Sequence, residues 1–215
     1  MTLHEDRSAA GDATPPRRSV HSGRVLPAAF FARPAEQVAR ELLGAVLVAQ
    51  TDGGGCRAEI VETEAYTGPD DEASHAHARF GVTARNRVMF GPPGIAYVYR
   101  IYGMHWCLNA VTGPAGHPAA VLLRAARPLD GLEPMRARRP GRADHELLRG
   151  PGNLARALGI DGRLNGHALQ HAPLWLEAGA AVPDAAVWTG PRIGVRRAAE
   201  APLRFWLHGS PFVSR

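Results

Sequence analysis

The chain has 215 residues, 45% of them apolar, enough for one domain of ordinary size with a sizeable core. All 25 basic residues are arginine, and the absence of lysine leaves no side-chain amine for a Schiff base, which excludes lysine-dependent lyase chemistry. Cys56 and Cys107 have no CxxC partner, as expected in a reducing compartment, and no run approaches the roughly 18 apolar residues of a membrane span.

The first 23 residues are polar, contain proline and lack periodicity and the apolar core of a signal peptide. They read as a flexible N-terminal arm of a cytoplasmic or nucleoid protein, with the folded domain spanning 24–215. Pro34 as a start, Val38, Leu42 and Leu43 at helical spacing and Gly44 as a stop predict a short helix. GAVLVAQ reads as a strand that TDGGG turns into RAEIVETEAY, a β-hairpin over about 45–66. A charged loop follows. IAYVYRIYGMHWCLNAV, 95–111, predicts two strands folded back at Tyr102-Gly103, and AAVLLRAARPL adds another. DGLEPMRARR and Pro151–Leu158 read as helices, and the tail from Arg192 onward as two short strands. Hairpins outnumber βαβ units, so the expected class is α+β, one mixed domain with a mainly antiparallel sheet.

Charge is unevenly placed: residues 1–75 carry 7 Arg against 12 acids, residues 76–215 carry 18 Arg against 8. The basic part suits a phosphate-bearing partner, although a solvated arginine surface is the plainer reading. In the acidic part, strand alternation puts Glu62, Glu64 and Tyr66 on one face and Val61, Thr63 and Ala65 on the other. Positions two apart on a strand lie about 6.5–7 Å apart, so a carboxylate and a ring there can address different parts of one ligand. The same alternation also describes an ordinary solvent-facing strand. Asp70, Asp71 and Glu72 read as solvated loop charges. His75 and His77 could ligate a metal, but no companion motif completes a zinc set. Tyr97 and Tyr99 share one strand face, and Tyr102 occupies the hairpin tip, where an exposed ring can act as a wedge between stacked bases. Arginines 79, 85, 87 and 100 surround that hairpin in sequence. Gly150-Pro151-Gly152-Asn153 is read as a plain helix cap.

ETEAY with His75 eleven residues after Glu64, RNRVMF at 85–90, YVYRIYGMHWCLN at 97–109, VLLRA at 121–125 and the closing RFWLHGSPFVS occur in one order. Together they resemble the alkyladenine, or 3-methyladenine, DNA glycosylases, from about residue 24 to the C-terminus. The resemblance implies a curved sheet with a protruding hairpin, similar to the C-terminal domain of formyltransferases. It implies an enzyme that extrudes a damaged purine nucleotide from duplex DNA and hydrolyses its glycosyl bond, as a monomer, with neither metal nor other cofactor and no membrane partner. By resemblance, Glu64 is the general base activating water, with the Arg124 side chain and the Val213 carbonyl holding that water. Tyr66 stacks on one face of the base, and His75 and Tyr99 on the other. The Ala73 carbonyl and the His75 amide read the purine edge, and Asn109 crowds the exocyclic amine of guanine. Tyr102 fills the gap left in the duplex, with Met104 beside it. Without lysine the enzyme is expected to be monofunctional. Two other readings stay open: a metal-dependent phosphodiesterase using Glu62, Glu64, Asp70 and His75, and a non-catalytic minor-groove binder using Tyr102.

Overall fold

A computed structural model describes residues 23–214, and the arm assigned to 1–23 falls, but for Gly23, outside the described residues. Among the described residues nine strands form one antiparallel sheet that curls into a half-barrel. In chain order they are β1 (Val46–Thr51), β2 (Gly54–Tyr66), β3 (Ala96–Ile101), β4 (His105–Thr112), β5 (Ala119–Asp130), β6 (Gln170–His171), β7 (Leu174–Glu177), β8 (Val187–Gly190) and β9 (Arg204–Leu207). They lie side by side as β3-β4-β5-β2-β1-β7-β6, and β9 pairs with both β2 and β8. Among the described residues four short α-helices accompany them: α1 (Ala28–Phe31), α2 (Ala35–Glu41), α3 (Leu132–Arg138) and α4 (Pro151–Leu158). Among the described residues no helix is long and apolar enough to cross a membrane.

Local chemistry explains most boundaries. Pro34 precedes α2 and Pro151 opens α4, where a missing N–H is harmless; Gly159 ends α4 in the left-handed conformation at φ 70°. The helix buries Leu154, Ala155, Ala157 and Leu158, each leucine contributing about 1.5–3 kcal/mol of apolar burial. Its first turn reaches the β3–β4 hairpin, where a Cβ on Gly152 would come within 3.0 Å of the His105 Cβ. The main core lies on one face of the sheet, with Ile60, Ala65, Val98, Leu108, Val121 and Leu123 packed against the helices. The other face carries a smaller cluster, Ala76, Met89, Tyr97, Val111 and Ala120, against which Tyr99 packs.

The tail departs from expectation. Only β9 forms after Arg192; its partner β8 lies before it, and 192–200 is irregular chain drawn inward by Arg192. Side-chain alternation also breaks once in β2. Ile60 pairs with Ala126 but Glu62 with Ala125, so Val61 is bulged; it leaves the main core and lines a separate groove with Leu207 and Phe212. Opposite, Thr63 pairs with Leu123 and Glu62 with Ala125, which leaves Arg124 without a facing residue on β2.

Candidate active site

That second irregularity builds the site. Bulged strands re-aim side chains, and the Arg124 guanidinium lands between two carboxylates that alternation places on one face. Its Nε donates to Glu62 Oε1 at 3.0 Å and its Nη1 lies 3.1 Å from Glu64 Oε1. Burial works against the Arg124 charge, but Glu64 and Glu62 outweigh it and raise its pKa.

Both glutamates are fully buried, contrary to a solvent-facing strand, and their partners divide their roles. Glu62 is saturated. It accepts from Arg124, from Arg204 Nε at 2.7 Å, from the Ser214 hydroxyl at 2.8 Å and from the Ser214 amide at 2.7 Å. It therefore straps the C-terminal segment onto the sheet. Glu64 accepts from the Ile193 amide at 2.7 Å on Oε1 and from the Tyr66 hydroxyl at 3.0 Å on Oε2. Among the described residues Oε2 thus has a single hydrogen-bond partner, a hydroxyl that can rotate away.

Above Glu64 lies a cleft of about 650 Å³, walled by Tyr66, His75, Tyr99, Asn109, Arg124 and Ile193. Three of these wall residues, Tyr66, Arg124 and Ile193, contact Glu64. Across the cleft, the His75 and Tyr99 rings meet edge to face with centroids 4.6 Å apart, and His75 Nδ1 lies 3.0 Å from the Tyr97 hydroxyl. Burial, then the positive charge of Arg85, pushes the His75 imidazole down to about 4, so it is neutral at physiological pH. Burial and then the Glu64 charge push the Tyr66 phenol up, and burial pushes Tyr99 up, so both rings are neutral. Asn109 donates its amide to the Tyr97 carbonyl at 3.0 Å, which fixes which side of the amide the cleft meets.

Other sequence candidates fall near this cleft. Tyr102, on its rim, is 82% exposed at the hairpin tip and holds φ 52°, a conformation costly for a bulky residue. Met104 is 67% exposed beside it. Ala73 lies on the wall, its amide held by Asp71. The Val213 carbonyl does not reach the cleft wall; it accepts from Arg149 Nε at 2.8 Å, next to the Ser214 strap. The residues of the phosphodiesterase reading do not converge: Asp70 is exposed, and among the described residues no group of three or more His, Cys, Asp and Glu side chains could hold a metal ion.

A further reading is overturned. Asp71 is a buried ion-pair partner rather than a solvated loop charge. It takes two bonds from Arg192, at 2.6 and 2.9 Å, and accepts from the Thr67 and Ala73 amides. Burial pushes its carboxyl up, but Arg192 and those amides outweigh it and hold it below the usual range. Nothing local marks Asp71 apart from Asp70, since its partner lies 121 residues away. Ile193, whose amide holds Glu64, was equally illegible because a main-chain donor has no side-chain signature.

Comparison with known proteins follows the same lines. Residues 29–211 match the family model described as Methylpurine-DNA glycosylase. A protein of Rhodopseudomonas palustris (strain BisB18) is 49% identical over 193 residues, covering 90% of this chain and 92% of its own. One from Anaeromyxobacter dehalogenans (strain 2CP-1) is 54% identical over 195 residues, 88% of this chain and 85% of its own. One from Methanocella arvoryzae is 50% identical over 196 residues, 89% and 96% respectively. All three bear the name "Putative 3-methyladenine DNA glycosylase".

Proposed function

Because the chain belongs to the methylpurine-DNA glycosylase family, and so is a DNA glycosylase, a hydrolase of N-glycosyl bonds in base excision repair, we propose that its cleft receives an extruded damaged purine over Glu64. The observation that carries this reading is one carboxylate, Glu64, held by Arg124 and the Ile193 amide directly beneath a cleft with aromatic side walls. Tyr66 stacks on one face of the base, and His75 and Tyr99 on the other. Such contacts are worth about 1–3 kcal/mol per base, against a few kcal/mol for extrusion. Asn109 crowds a guanine amine, and the Ala73 carbonyl and His75 amide read the purine edge. Tyr102 enters the gap in the duplex, with Met104 alongside.

As the base seats, the Tyr66 hydroxyl leaves Glu64 Oε2 and water takes its place. Water adds to C1′ while the glycosyl bond breaks; its proton passes to Glu64, and the bonding electrons leave with the base. A cationic purine is thereby neutralised, whereas a neutral one must also gain a proton. The charge of Glu64 stabilises the oxocarbenium-like sugar, as carboxylates do in glycoside hydrolases. The Arg124 contact keeps Glu64 aimed, and the Val213 carbonyl must give up its bond from Arg149 to help hold the water. The curled sheet and projecting hairpin support the likeness to formyltransferase C-terminal domains, and we take the enzyme to work as a cytoplasmic monomer on nucleoid DNA.

The test is base release from a panel of lesion duplexes with excess EDTA. Release of an alkylated or deaminated purine that survives chelation and is lost in Glu64→Gln supports the reading. Cleavage of the phosphodiester backbone that EDTA abolishes would instead support the metal-dependent alternative.

A further inference from the structure

Each stacking tyrosine of the cleft already carries a guanidinium. The Arg192 Cζ lies 4.7 Å from the Tyr66 ring centroid, and the Arg85 Cζ lies 5.0 Å from that of Tyr99. Both tyrosines line the cleft and neither arginine does, so the two guanidiniums lie outside the cleft wall. Arg192 is the more deeply built of the two. It is 4% exposed, bonded twice to Asp71, and donates a third bond to the Ala65 carbonyl at 3.0 Å, the peptide unit joining Ala65 to Tyr66. Arg85 is anchored by its Nη2 on the Arg100 carbonyl at 3.2 Å.

An aromatic face attracts cations through the negative lobes of its quadrupole. A guanidinium on the outer face draws that density away and repels a second cation on the inner face. A neutral purine, which stacks by dispersion and by its own ring dipole, suffers neither loss. Asp71 balances Arg192 at long range, but the guanidinium is the member in contact with the ring. The Tyr66 hydroxyl registers this, since the Arg192 charge lowers its pKa against the larger upward push of burial and Glu64.

We propose that Arg192 and Arg85 are specificity-determining residues: placed behind Tyr66 and Tyr99, they bias the cleft against cationic purines and toward neutral ones. The inference rests on the reading that Tyr66 and Tyr99 stack on the extruded base. It concerns the ratio between lesion classes, not the rate for either, because cationic bases keep their intrinsic advantage as leaving groups.

The experiment mixes two labelled duplexes in one tube, one carrying neutral hypoxanthine and the other cationic 7-methylguanine, and reads the ratio of kcat/KM from their competition. The variants are Arg192→Met combined with Asp71→Asn, so that no buried charge is left alone, and Arg85→Met with Arg85→Lys. Arg85→Met keeps the test decisive if the buried double variant does not fold. Each Met variant that folds should shift the ratio toward 7-methylguanine roughly fivefold, about 1 kcal/mol, and Arg85→Lys should stay within about twofold of the parent. Loss of a purely structural support would slow both lesions alike and leave the ratio in place. A ratio unmoved by the Met variants, moved toward hypoxanthine, or moved as far by Arg85→Lys overturns the proposal. Failure of the parent enzyme to release either purine would overturn the stacking reading beneath it instead.

Discussion

Replacing Glu64 by glutamine separates catalysis from architecture, because the surroundings of this side chain fit the amide as well as the acid. The amide oxygen, placed where Oε1 lies, still accepts from the Ile193 amide and faces Arg124 Nη1. The amide nitrogen takes the place of Oε2 and donates to the Tyr66 oxygen, whose hydroxyl rotates away. Arg124 keeps Glu62 as a counter-charge at 3.0 Å, so no buried cation is stranded. What disappears is the proton acceptor and the negative charge beneath the sugar. A general base contributes typically 10²- to 10⁴-fold, so a loss of about 10³-fold, roughly 4 kcal/mol at 1.36 kcal/mol per decade, is expected. The assay is single-turnover release of hypoxanthine from a duplex at saturating enzyme, with fluorescence anisotropy of the same duplex alongside. Binding should stay within about threefold, or about 0.7 kcal/mol. Excision within about tenfold of the parent rate would refute the assignment of Glu64 as base, since that is below the smallest contribution a general base usually makes.

Other expectations follow from neighbouring contacts. Glu62→Gln weakens the counter-charge of Arg204 and Arg124 and one of the bonds to Ser214, and breaking a buried pair costs about 3–5 kcal/mol, so urea unfolding should show a loss of that order. Tyr102→Ala, at an 82% exposed tip, should leave the melting temperature in place and lower excision at least about tenfold; a fall in melting temperature without a rate change would contradict the wedge role. His75 titrates near 4 folded and near 6.5 unfolded, so its neutral form is the one the fold prefers. Its contribution is therefore fully present above pH 6.5 and is lost as pH falls toward 4, and His75→Gln should flatten the fall in melting temperature over that window. With no lysine in the chain, the product should be an intact abasic strand, and borohydride should trap no covalent protein–DNA adduct.

The sequence by itself determined the local layer of this protein. Alternation put Glu62, Glu64 and Tyr66 on one face, the glycine turn at Gly103 set Tyr102 at a tip, and proline and glycine bounded α2 and α4 close to where they occur. These properties depend on neighbours a few residues apart, where backbone geometry and turn chemistry decide. Long motifs in order made the family legible too. Tertiary structure alone decided which carboxylates were structural and which chemical. Glu62 and Glu64 look alike in sequence, yet Glu62 is saturated by Arg204 and Ser214 from the C-terminal segment, while Glu64 keeps one oxygen beneath a hydroxyl. Asp71 looked like Asp70 until Arg192 reached it from 121 residues away, and the register irregularity that lodges Arg124 between the glutamates arises from the pairing of β2 with β5. Desolvation and charge pairing are properties of what the folded chain brings together, and no local pattern encodes them.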